Sequence, residues 1–320
     1  MPGKTKRASG KLGLIGLGRM GASMARRLAN GGVRVYLYDK DAKLTKSLAR
    51  KLGAVAATSP ADLVNKLTAP RTIWLMLPAG EATARVIDSL DLAKGDLLVD
   101  GGNAHYRDSQ ARAAKLAARG VDFIDAGVSG GVHGLASGYC LMLGGTKKAV
   151  ARIGKITRRL AATPQATLHC GPPGAGHFVK MIHNGIEYGM MQAYAEGFAI
   201  MRGKQEFSLD VAKIAELWRN GSVVRSWLLD LAAEFLREDA SLADVAPQVA
   251  DSGEGRWTVI EAVEQGLPAP AASLALMMRF ASQGRNDYSA KLLAKLREGF
   301  GGHRVARVKR TGKTGHRQGR

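Results

Sequence analysis

The chain has 320 residues, 46% of them hydrophobic, with 40 glycines and a formal charge of +20. Its length accommodates two domains with separate cores, and no apolar run approaches the roughly 20 residues of a membrane span. The charge invites a polyanion reading, yet eleven basic residues and no acidic ones stand in residues 1–11 and 304–320, which leaves +9 for residues 12–303.

Residues 12–18, directly after the basic start, read as a first strand. They are too short and too glycine-rich for a secretory core, so the expected compartment is the cytoplasm. A helix is expected over 20–30 and a second strand over 33–39. Further strands at 72–77, 97–100, 123–125 and 140–143 alternate with helical patterns such as 110–119. That alternation predicts a mainly parallel, doubly wound sheet. The two cysteines, Cys140 and Cys170, lack any CxxC or Cys/His spacing, so two reduced thiols and no metal site are expected. Beyond Gly171-Pro172-Pro173-Gly174 the strand pattern stops. Helix-length segments follow at 177–202, 211–218, 226–236, 258–265 and 288–298. The expected fold is an α/β Rossmann-type domain over 12–170 and an all-α substrate and oligomerisation domain over 171–303. The basic Gly/Lys/Arg-rich ends, 1–11 and 304–320, are expected to be disordered.

Gly16-Leu17-Gly18-Arg19-Met20-Gly21 matches GxGxxG, leaving a strand and opening a helix. In that context the first glycine turns the chain and the second admits a pyrophosphate. The third lets helix and strand pack closely, and the helix N-terminus favours negative charge. Asp39 closes the second strand, where a carboxylate accepts from a ribose 2′-hydroxyl and repels a 2′-phosphate. NAD is therefore the preferred cofactor, with Lys40 offsetting enough repulsion to leave NADP open. The Leu77-Pro78 turn is expected to shape the cofactor cleft.

Lys180, His183, Asn184, Glu187 and Tyr188 stand at i, i+3, i+4, i+7 and i+8, one stripe of a helix. An ordinary solvated face would be built from interchangeable Lys, Glu and Gln; this stripe holds five different functional groups among apolar neighbours. A desolvated lysine can lose its proton and act as a base, and a carboxyl in apolar surroundings can keep its proton and act as an acid. Lys180 and Glu187 are expected to face a closed, dry cavity beside the nicotinamide. Asn103 in Asp100-Gly101-Gly102-Asn103, and Ser129-Gly130-Gly131, each follow a strand and suit the rim of such a site; both read equally well as plain glycine turns.

Taken together, GLGRMG, DGGNAHYRD, GVSGG, GAGHFVKMIHNGIEYG, GEGRWT and FGGH resemble the decarboxylating 6-phosphogluconate dehydrogenases, particularly the short form, from Leu12 to His303. The resemblance implies Lys180 as general base on the C3 hydroxyl, hydride transfer to the nicotinamide, and loss of carbon dioxide from the resulting 3-keto acid. Glu187 would then protonate C1, releasing ribulose 5-phosphate. Asn103, Ser129, Gly130, Gly131, His183 and Asn184 match positions that hold the sugar acid or place the nicotinamide. Tyr188, Arg256, Thr258, Arg279, Arg297 and His303 match the phosphate end. Position 256 is often lysine in the family. Arg297 and His303 match a pair that reaches a neighbouring subunit's site, which implies a homo-oligomer, dimer or tetramer. The large extra helical block of the long form is missing, and the basic extension after His303 lies outside the pattern. Two other readings stand beside this one. A different β-hydroxyacid dehydrogenase, such as 3-hydroxyisobutyrate dehydrogenase, would share the fold and the lysine, usually with a DxST-like stretch where this chain has Asp100-Gly101-Gly102-Asn103. A polyanion-binding protein rests on the charge alone, and nucleic acid is not expected as the main partner.

Overall fold

The computed structural model describes residues 10–285, 287–301 and 304–306. Its first part alternates strand and helix. The order is β1 (Lys11–Ile15), α1 (Arg19–Asn30), β2 (Arg34–Tyr38), α2 (Ala42–Leu52), β3 (Val55–Ala56), α3 (Pro60–Lys66), β4 (Thr72–Leu75), α4 (Glu81–Ser89), β5 (Leu97–Asp100), α5 (Tyr106–Ala117) and β6 (Asp122–Ser129). A short α6 (Gly134–Ser137), β7 (Cys140–Gly145), α7 (Lys147–Arg152), α8 (Gly154–Leu160) and β8 (Thr167–Gly171) complete it. The eight strands form one sheet in the order β3-β2-β1-β4-β5-β6-β7-β8. Every neighbouring pair is parallel except β6 with β7. The order turns back on itself between β1 and β4, which opens a crevice at the carboxyl ends of those strands.

The strands read as unbroken apolar runs because both faces of the sheet are covered. Trp74, Leu97 and Val99 join Met24 and Leu28 of α1 in one core. Ile73, Leu75 and Leu98 point the other way, to Leu63 of α3 and Leu116 of α5. β6 runs further than its apolar beginning suggests. Ile124, Ala126 and Val128 stay in the first core, while Asp125, Gly127 and Ser129 alternate onto the other face.

After β8 all regular structure among the described residues is helical: α9 (Ala175–Gly203), α10 (Val211–Arg219), α11 (Trp227–Glu238), α12 (Glu254–Glu264), α13 (Pro270–Ser282) and α14 (Asp287–Gly301). The expected helix at 258–265 starts four residues earlier, behind Gly253 in a left-handed conformation (φ +106°) that non-glycine residues rarely adopt. By its contacts the chain forms two compact units, one ending at Met191 and taking in Gly253–Ala272, the other comprising Gln192–Ser252 and the part from Ser273 onward. The second unit has its own small core of Phe198, Val211, Ala215, Leu229, Ala233 and Leu236. No helix among the described residues is long and apolar enough to cross a membrane.

Candidate active site

At the end of β1 the backbone turns through Gly16 (φ +92°) into α1. A β-carbon on Gly21 would collide with the Gly16 carbonyl, so helix and strand approach as only glycine permits. A β-carbon on Gly18 would meet nothing within 4 Å. The first turn of α1 begins there without a side-chain cap, so its amides remain available to an anion. These features fit the pyrophosphate of a dinucleotide. The Leu17 side chain is 1% exposed in the core, so that only its backbone borders the loop. Its N–H donates to Asp39 Oδ2 (2.7 Å), while Asp39 Oδ1 accepts from Asp41 N (2.9 Å). Arg19 is exposed, Met20 half-buried, and Leu77 packs half-buried beside Gly16.

The polar stripe of α9 lies wholly within the first unit, and Lys180, His183, Asn184 and Glu187 form one connected network. Lys180 Nζ donates to Asn184 Oδ1 (2.6 Å) and lies 3.3 Å from His183 Nδ1. His183 Nδ1 is 3.1 Å from Asn184 Oδ1 and 3.8 Å from Glu187 Oε2. These acceptors favour a proton on Nδ1, leaving Nε2 to accept from the Ser129 hydroxyl at 3.3 Å. Burial pushes the Lys180 amine below the ordinary lysine value; Glu187 and then Glu254 pull it back up. Burial also lowers His183, helped by the Lys180 charge and opposed by Asn184 and Glu187. Of the two groups expected to face a closed, dry cavity, only Lys180 is dry. Lys180 is 8% exposed, whereas the Glu187 side chain is 38% exposed.

α9 can lie this close to the sheet because glycines meet at the seam. A β-carbon on Gly127 would stand 2.5 Å from that of Lys180, and one on Gly144 2.6 Å from Gly176 N. The other flank of α9 meets α12, where Gly185 leaves room for Thr258 and Gly255 for the Tyr188 ring. The Thr258 hydroxyl faces the carbonyls of Met181 and Glu254, both at 2.9 Å. Its single hydrogen is thus engaged in the helix seam, which differs from the phosphate-binding role expected of it. Tyr188 is buried on the same seam, and Arg256 of α12 is half-buried.

Asn103 is exposed at the end of β5, on a turn held by Gly102 N donating to Asp100 Oδ1 (3.1 Å) and by the Arg112–Asp100 ion pair (2.9 Å). Gly130 and Gly131 both take positive φ directly after Ser129. Arg279 and Arg297 belong to the second unit. There Arg279 donates to the Ala250 carbonyl (2.8 Å) and Arg297 is exposed. His303 lies outside the described residues. Sequence reasoning missed two buried carboxylates, Asp125 (0% exposed) and Glu254 (3% exposed). Asp125 carries a signal, a charge inside an otherwise apolar strand run; Glu254 carries none.

Residues 11–171 match the family model described as the NAD binding domain of 6-phosphogluconate dehydrogenase. Residues 176–291 and 204–318 match that of its C-terminal domain. An NAD(+)-dependent, decarboxylating 6-phosphogluconate dehydrogenase of Haloferax volcanii is 43% identical over 93% of this chain and 99% of its own length. An NADP(+)-dependent, decarboxylating 6-phosphogluconate dehydrogenase of Bacillus subtilis is 36% identical over 87% of this chain and 62% of its own length. The solved Plasmodium falciparum 6-phosphogluconate dehydrogenase superposes with a TM-score of 0.79 at 28% identity, covering 94% of this chain and 67% of that one.

Proposed function

The chain belongs to the 6-phosphogluconate dehydrogenase family, and from that premise we propose that it acts in the cytoplasm, oxidising and decarboxylating 6-phosphogluconate with Lys180 as base and Glu187 as acid. The observation that carries the residue assignment is the Lys180 amine: buried, lowered by that burial, and joined to Asn184 and His183. A neutral amine takes the proton of the C3 hydroxyl. The nicotinamide, when bound, supplies the acceptor for the C3 hydride. Lys180, now an ammonium, then faces the oxygen on which charge develops as carbon dioxide departs from the 3-keto acid. Glu187, at the wetter end of the stripe, protonates C1. Asn184 and His183 hold Lys180 in place, and Ser129 sets the His183 ring through Nε2.

NAD is proposed over NADP because the Asp39 carboxylate ends β2 beside the glycine loop, where it would repel a 2′-phosphate. A homo-oligomer is proposed from the second unit. Leu274, Met277 and Met278 of α13 and Leu292, Leu293 and Leu296 of α14 are exposed at helical spacing, an apolar surface that a second copy would cover. Light scattering on the purified protein tests that assembly. The reaction is tested by following reduced nicotinamide and released carbon dioxide with 6-phosphogluconate, and separately with 3-hydroxyisobutyrate. Carbon dioxide from the first substrate and no turnover of the second is the expected result. Turnover of 3-hydroxyisobutyrate alone would refute the reading.

A further inference from the structure

The face of β6 opposite its core side meets α9 three times in register. Asp125 Oδ1 accepts from Gly174 N (2.6 Å) and Oδ2 from His177 N (2.8 Å), at the first turn of the helix. Gly127, two residues on, lies beneath Lys180. Ser129, two further, reaches His183. The strand's period of two and the helix's rise thus stay in step from residue 174 to residue 183.

Asp125 is fully buried and, among the described residues, forms no ion pair. An isolated carboxylate in such surroundings is costly unless hydrogen-bonded. What compensates it is the amide end of α9, where a negative charge is favoured. We infer that Asp125 is a positioning residue of the reaction: by gripping the first turn of α9 it fixes the rotation and axial setting that place Lys180 over Gly127 and His183 against Ser129. The inference rests on the proposed role of Lys180. Rotating a helix by about 10° moves side-chain atoms ~6 Å from its axis by about 1 Å. A misplacement of about 1 Å can cost on the order of a hundred-fold in rate. An asparagine at 125 keeps the shape but can accept only one of the two amides, which loosens that grip without emptying the space.

The test compares Asp125→Asn and Asp125→Ala with the parent protein and with Lys180→Met, all rates expressed per nucleotide-binding site so that partial folding does not mask the result. Both Asp125 variants are expected to lose about ten- to a hundred-fold in kcat while KM for the nucleotide stays within about two-fold. The acid limb of their kcat/KM profile should move to higher pH, because water admitted beside Lys180 relieves the burial that lowers it. A lower melting temperature with unchanged kcat and pH profile would overturn the inference, as would loss of nucleotide binding together with activity. Activity retained by Lys180→Met would refute the Lys180 assignment itself. Activity lost there but kept in both Asp125 variants would remove only the positioning role.

Discussion

Glycine does opposite work in the two regions that build the site. In the GLGRMG loop Gly18 opens onto empty space, and a side chain there would trespass only on a ligand. Along the seam of β6, β7 and α9, Gly127, Gly144 and Gly176 have no space at all, since a β-carbon on any of them would enter a neighbouring chain segment. Gly18 keeps room for something outside the protein; the seam glycines remove side chains so that two backbones can close on a lysine. Gly18 should therefore respond to substitution through affinity, and the seam glycines through stability and rate.

The sharpest break of that comparison is Lys180→Met. Its kcat should fall by about a thousand-fold or more while nucleotide binding persists, and the acid limb due to Lys180 should vanish from the residual activity. The same variant should melt at a higher temperature at neutral pH. The folded-state value of Lys180 is depressed, so between it and the ordinary lysine value the unfolded chain holds a proton that the folded one lacks. Stability contributed at this position thus rises with pH through that window, and the gain from Met should shrink above it. A melting temperature unchanged across the window would count against a buried, lowered amine. Glu187→Gln should cost about a hundred-fold in kcat with substrate affinity kept, because it acts after the hydride has left. Measurement of substrate binding by titration and of carbon dioxide release in single turnovers separates the two effects.

The glycines themselves come next. Gly176→Ala should destabilise the fold by about 3 kcal/mol, since its β-carbon would press on the Asp125 and Met142 carbonyls, and the helix gains back only about 1 kcal/mol in propensity. Gly18→Ala should leave the melting curve of the nucleotide-free protein almost unchanged and raise KM for the nucleotide about ten-fold. Denaturant melts paired with initial rates read both. Similar stability losses in the two variants would abolish the distinction between open and closed glycines.

The sheet was legible wherever a strand is an apolar run stopped by glycine, as in β1 and β5, or by proline, as in β4. It was not where burial departs from that pattern. β3 has two residues, and β8 carries an exposed Leu168 and a histidine at the sheet edge. The expected strand at 123–125 stopped at Asp125 because a carboxylate does not belong in a buried strand; α9 supplies the reason it does here. α13 offered no polar stripe in Leu274–Met278 to reveal its helical period. Within the site, the spacing of Lys180, His183, Asn184 and Glu187 already placed them on one face. Their outside partners were not readable, because Ser129 is 54 residues from His183 and Glu254 is farther still from Lys180. The gradient from dry Lys180 to wet Glu187 was equally hidden, since periodicity assigns a face and not a depth.

The smallest effect should come from Asp39→Asn, and it returns to the open side of the comparison. In the structure Asp39 performs two tasks, accepting the Leu17 and Asp41 amides and presenting negative charge at the end of β2. Asparagine keeps one acceptor, so the loop should weaken by about 1 kcal/mol, the size of one neutral hydrogen bond. The charge, however, disappears entirely. Use of NAD should drop for the first reason, while NADP loses the repulsion for the second, so the ratio of kcat/KM values should swing several-fold toward NADP, on the order of 1 kcal/mol. Because the charge is partly exposed, the swing should be larger at low ionic strength. Initial rates with both nucleotides at two salt concentrations measure it. A uniform decline with both, insensitive to salt, would mean that Asp39 acts only as the brace of the glycine loop and that nucleotide preference is set elsewhere.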